Sequence, residues 1–87
     1  MTLNVPEIAR WIQRNSLRGG GTAVSADTRL LEEGWLDSML IVQLVSFIET
    51  ALGKAIPIDE VSPENFETPA RIAALADRLG AGDKKEP

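Results

Sequence analysis

The chain has 87 residues, 44% hydrophobic and 25% charged, which suffices for one modest apolar core under an ordinary polar surface but not for two independent cores. Its net charge of −4 comes from 13 acidic against 9 basic side chains, and the excess falls entirely after residue 36, where nine acids face five bases; that half repels phosphate backbones, which argues against nucleic-acid binding. With no cysteine and no histidine, the chain lacks thiolate nucleophiles, disulfides, zinc sites of the usual nitrogen or sulfur type and imidazole bases.

From Asn4 to Ser16 the residues Val5, Ile8, Ala9 and Ile12 recur at i, i+3, i+4 and i+7, with Glu7, Arg10, Gln13 and Arg14 between them. This predicts an amphipathic first helix. Asn4 is positioned to cap it, Glu7 stands three residues later as in a capping box, and Pro6 falls in the first turn, where backbone N–H groups lack partners. Trp11 lies on the flank of the stripe, in a place suited to partial burial. Glu7 and Arg10 break up what a secretion signal would keep apolar, and no apolar run approaches the roughly 18 residues of a membrane span. The expectation is a cytoplasmic protein with no membrane contact.

Leu17 to Trp35 reads as a long connection, opened by Gly19-Gly20-Gly21 and continuing through Ser25, Asp27 and Thr28, with Leu30, Leu31 and Leu36 available to pack it down. No Gly-Lys-Ser or Gly-Lys-Thr follows the glycines, so they read as flexible spacing and not as a phosphate cradle. A second helix is predicted from Ser38 to Leu52, with Ile41, Leu44, Val45, Ile48 and Leu52 on its buried face and Gly53 as its left-handed stop. Its opposite side carries Met39, Gln43, Ser46 and Thr50.

Ser62-Pro63-Glu64-Asn65-Phe66 has the start signal of a single short turn of helix. Thr68-Pro69 repeats that signal for a last helix, whose apolar face is Ile72, Leu75, Ala76 and Leu79 and whose stop is Gly80. Residues 81–87 have nothing to bury and read as a disordered tail. Three longer helices and one short one hide their stripes only against one another. The predicted fold is therefore all-α, a small irregular four-helix bundle with a long loop between the first two helices.

Ser38, after Asp37 at the mouth of the second helix, has two readings. Serine and aspartate are both favoured helix caps, each worth about 1 kcal/mol. A hydrolytic role is disfavoured, because no histidine exists to activate the hydroxyl and no Gly-x-Ser-x-Gly elbow surrounds it. The other reading is an attachment point, and a wider pattern bears on it. "DTRLLEEGWLDSMLIVQLVSFIETALGKAIP" followed by "VSPENFETPARIAALADRL" resembles the acyl and peptidyl carrier proteins, with a matching first helix and long first loop. Its most specific element is Gly34, an apolar pair, Asp37-Ser38 and a further apolar residue.

The resemblance implies that residues 1–80 are a carrier domain. Ser38 would receive a covalent 4′-phosphopantetheine from a phosphopantetheinyl transferase, with Asp37 as its acidic partner. Acyl or aminoacyl cargo would then ride as a thioester on the arm of a non-catalytic monomer, delivered by an adenylating or acyl-loading ligase and used by downstream biosynthetic enzymes. Fatty-acid carriers strew the second helix with acids; this one has only Glu49. That departure leans toward a freestanding carrier of a specialised pathway, with a less electrostatic partner face made of Trp35, Met39, Val42, Gln43, Ser46 and Thr50. The competing reading is a small helical interaction domain in which Ser38 is only a cap.

Overall fold

The structure, a computed structural model, describes residues 3–16 and 23–84. Three α-helices run in chain order, α1 (Val5–Asn15), α2 (Ser38–Leu52) and α3 (Pro69–Lys84), with a short 3-10 turn at Ile58–Glu60 between the last two and no strand among the described residues.

The first helix forms as its sequence predicts. Asn4 Oδ1 accepts the Glu7 amide at 3.0 Å, and Glu7 Oε1 accepts the Asn4 amide at 3.3 Å, completing the capping box. Ile8, Ala9 and Ile12 are buried, and Trp11 on the flank stacks on Phe47 of α2 with ring centroids 5.5 Å apart.

Helix α2 also starts and stops where expected, ending at Gly53 in the left-handed conformation (φ +74°), whose amide reaches the Glu49 carbonyl at 2.8 Å. Its rotation differs from expectation. The buried line is Leu40, Leu44 and Ile48, while Ile41, Val45 and Leu52 pack only partly against the core. The sequence Ser-Met-Leu-Ile-Val-Gln-Leu-Val is apolar on nearly every side, so periodicity leaves the phase open and tertiary packing decides it.

The long connection is tied down at its second half. Leu30 donates its amide to the Glu67 carbonyl at 2.8 Å, and Ala70 donates to the Ala26 carbonyl at 3.1 Å, so this segment is held against the entrance of α3. Residues 30–34 coil into one turn that closes on Gly34. The Trp35 amide returns to the Leu30 carbonyl at 2.8 Å, the Gly34 amide lies 3.4 Å from the Leu31 carbonyl, and Gly34 has φ +82°. This is the Schellman pairing, which needs a left-handed residue at the position glycine occupies. Leu30 and Trp35 are both buried beneath the turn. The glycine run 19–21, read as flexible spacing, lies outside the described residues.

The expected fourth helix is absent as a regular element. Ser62 Oγ caps the Asn65 amide at 3.3 Å and Phe66 is buried, but after one turn the Glu67 carbonyl is taken by Leu30, and Thr68 begins α3 by accepting the Arg71 amide at 3.1 Å. The described fold is thus three α-helices, a 3-10 turn and this single turn. Ile72, Leu75 and Ala76 of α3 complete the core. Gly80 does not stop α3, which continues to Lys84: its φ is not positive, and a Cβ added there would meet Leu52 Cδ2 at 3.9 Å. The tail expected from residue 81 therefore begins, through 84, as helical backbone, and 85–87 lie outside the described residues.

Candidate functional site

The turn at Gly34 fixes how the chain enters α2. Once Leu30 accepts both the Trp35 and Leu36 amides, at 2.8 and 3.1 Å, these two side chains are carried into the core, and the next two residues emerge exposed at the start of α2. They are Asp37 and Ser38.

The cap is Asp37. Its Oδ1 accepts the Leu40 amide at 2.9 Å from an extended backbone (φ −128°), while Ser38 is already the first residue of the helix. The Ser38 hydroxyl makes no hydrogen bond among the described residues, and its side chain is exposed. The reading of Ser38 as nothing more than a helix cap is corrected here: with the capping acceptor supplied one residue earlier, the hydroxyl is left free at the amino-terminal end of a 15-residue helix. The macrodipole and unpaired amides there favour negative charge.

At the start of α2, flanked by both sequence neighbours of Ser38, lies an open cleft of about 230 Å³ lined by Ser16, Gly34, Trp35, Asp37, Met39 and Gln43. Of the candidate partner contacts, Met39 (69% exposed), Val42 (68%), Gln43, Ser46 and Thr50 stand out from α2 on one broad side. Trp35 does not join them. At 1% exposure it is a core residue, because the Gly34 turn directs it inward, and its place as a partner contact is withdrawn. Leu40, between Met39 and Val42 in the first turn of α2, is likewise buried.

Glu49, the single acid of α2, is engaged within the chain: its Oε2 accepts the Ile56 amide at 2.8 Å and fastens the loop after the helix. Ile58, 86% exposed in the 3-10 turn, is an apolar surface residue that sequence reasoning passed over. Its signal was available as an isolated isoleucine between Pro57 and Asp59. No cluster of metal-ligating side chains occurs among the described residues, and none of their helices is long and apolar enough to cross a membrane.

The Ser38 hydroxyl thus stands exposed and unbonded at a helix start, a geometry that leaves it open to modification. Residues 17–76 match the family model described as a phosphopantetheine attachment site. The chain is 36% identical over 63 residues to D-alanyl carrier protein 1 of Lactiplantibacillus plantarum, covering 72% of this chain and 79% of that one. It is 41% identical over 61 residues to the lincomycin biosynthesis protein LmbN of Streptomyces lincolnensis, covering 70% of this chain but 22% of the longer relative. Among solved structures, a chain from one described as "Crystal structure of FAD-dependent dehydrogenase" superposes with a TM-score of 0.71 at 38% identity, over 80% of this chain and 99% of that one. With well over half of its length inside the family match, the chain belongs to the phosphopantetheine-binding carrier proteins, which hold intermediates as thioesters on a covalently attached 4′-phosphopantetheine.

Proposed function

We propose that Ser38 is the attachment residue, and that the chain is a freestanding, non-catalytic carrier of acyl or aminoacyl groups. The observation that carries this reading is the division of labour at the start of α2: Asp37 closes the helix through Leu40, so the Ser38 hydroxyl can be esterified without uncapping it. When bound, the arm supplies a terminal thiol on which cargo is held as a thioester.

Ser38 Oγ would form the new P–O bond to the pantetheine-bearing phosphorus of coenzyme A as the pyrophosphate P–O bond breaks and adenosine 3′,5′-bisphosphate leaves, and the hydroxyl proton would pass to a base of the phosphopantetheinyl transferase, consistent with a chain that has no histidine of its own. Asp37 holds the first turn rigid while this happens and is exposed enough to be read by the transferase.

Met39, Val42, Gln43, Ser46 and Thr50 form the face on which the transferase, a loading ligase and downstream enzymes dock. Because Glu49 is engaged internally, that face is neutral and partly apolar, and contact area instead of charge pairing governs recognition. The D-alanyl carrier relatives and this weakly charged face together favour a small aminoacyl cargo, loaded by an adenylating ligase onto a monomeric carrier in the cytoplasm.

The test is the intact mass of the chain after incubation with coenzyme A, magnesium and a broad-specificity transferase. The wild type gains one phosphopantetheine and Ser38→Ala gains none. A gain of equal size on the alanine variant would remove Ser38 from the role.

A further inference from the structure

A larger cleft than the one at the start of α2 lies farther along the seam between α1 and α2. It has a volume of about 290 Å³ and is lined by Glu7, Arg10, Trp11 and Arg14 from α1 and by Phe47 and Ala51 from α2. Its centre is the partly buried Trp11–Phe47 stack, with the rings inclined by 22°. A volume near the lower limit of small-molecule sites, which run from about 300 to 1,000 Å³, suits a single inserted side chain better than a whole ligand.

The charges around this cleft are unbalanced in a particular way. Arg10 and Arg14 are exposed, one helical turn apart, and neither is in an ion pair or hydrogen bond with a side chain among the described residues. Two like charges at i and i+4 repel each other on a helix surface. Glu7, whose carboxylate accepts the Asn4 amide in the capping box, lines the same cleft and offsets one of the two charges without pairing with either arginine. On a chain whose net charge is −4, Arg10, Arg14 and Glu7 together leave this rim with one excess positive charge beside the aromatic pair.

We propose that the α1/α2 cleft is a second docking surface, whose occupant is an acidic segment of a partner protein that lays carboxylates on Arg10 and Arg14 and inserts one apolar side chain against Trp11 and Phe47. Bidentate carboxylate recognition is what two guanidiniums offer, and a stacked aromatic pair gives an apolar anchor its floor. Phe47 is nine residues beyond Ser38, about 13 Å along the axis, and about 80° around the helix from Met39. A partner held here leaves both Ser38 and the Met39–Val42 face open, so one protein can retain the carrier while another acts on it. The preferred partner charge is the reverse of what an acidic carrier surface selects.

The test uses the ¹⁵N-labelled full chain, before and after phosphopantetheinylation, titrated with the peptide Glu-Glu-Leu-Glu-Glu and, separately, with Lys-Lys-Leu-Lys-Lys. The acidic peptide is expected to shift the Trp11 indole and the Arg10, Arg14 and Phe47 amides saturably, with affinity falling at least fivefold between 50 mM and 500 mM salt. Those shifts should be unaffected by the arm, absent with the basic peptide, lost in R10E/R14E, and present but with weaker affinity in R10K/R14K, which keeps the charge and loses the guanidinium fork. The paired variants guard against misfolding, since R10K/R14K and R10E/R14E are both judged only after their spectra match the wild-type fold. Equal shifts with both peptides, or shifts surviving in R10E/R14E, overturn the proposal. Failure here leaves the Ser38 assignment intact, because that rests on the mass gain alone.

Discussion

Asp37 Oδ1 accepts the Leu40 amide at 2.9 Å, closing the first turn of α2 around Ser38, which sits between them in sequence with its hydroxyl unused. If Ser38 is the attachment residue, as proposed, cap and modification fall to neighbouring side chains, and substitutions at the two positions separate cleanly. Asp37→Ala removes the acceptor of a helix cap and is expected to cost about 1 kcal/mol in urea unfolding, with Asp37→Asn or Asp37→Ser recovering most of it. Ser38→Ala should stay within about 0.5 kcal/mol of wild type while losing the phosphopantetheine. A Ser38→Ala loss as large as that of Asp37→Ala would mean that the hydroxyl, and not the carboxylate, holds the helix.

Gly34 supports the same site from the backbone side. An added Cβ there would meet nothing within 4 Å, so the cost of a side chain is conformational: the φ of +82° lies where L-residues are strained by about 1–2 kcal/mol. Gly34→Ala should lose about that much stability, and Gly34→Asn less, because asparagine tolerates the left-handed region. If Gly34→Ala instead unfolds at the wild-type urea midpoint, the Schellman turn is not what carries Trp35 and Leu36 inward.

How far the sequence revealed this arrangement depends on how local the deciding interaction is. The α1 capping box and the Gly53 stop involve residues within four positions of each other, and their signals were legible. Asp37 and Ser38 are adjacent residues of equal capping ability, so local propensity could not choose between them. The choice follows from the register imposed by the Gly34 turn, and that turn is fixed through Leu30 to Glu67, 37 positions away. The same distance effect misplaced Trp35: an aromatic shortly before an exposed serine reads as a contact until the turn is seen to bury it. Gly80 resembles a helix stop in sequence, yet it sits in helical backbone facing Leu52.

The phase of α2 gives a third test. Leu44 is fully buried on the line from Leu40 to Ile48, whereas Ile41 is only partly covered. Leu44→Ala should cost about 2–5 kcal/mol, a large share of the stability of a domain this size, and Ile41→Ala well under half as much. Denaturant midpoints compared at equal slope decide it. Equal losses at the two sites would place the buried face where periodicity alone had put it.

Met39 and Trp35 provide the sharpest contrast for testing the proposed docking face. Four positions separate them in sequence, yet one is 69% exposed and the other 1%. Met39→Asp, or Val42→Asp one turn on, places a charge on an apolar contact surface without entering the core. Either should raise the apparent KM of the transferase or the loading ligase several-fold while shifting stability by no more than about 0.5 kcal/mol. Trp35→Ala should do the opposite, costing about 3–5 kcal/mol by emptying the space beneath the Gly34 turn, with near-normal KM in whatever fraction remains folded. Steady-state kinetics paired with thermal melts on the same preparations distinguish the two patterns. A Met39→Asp variant that melts several degrees lower with unchanged KM would return this methionine to the core and leave the docking face without its anchor.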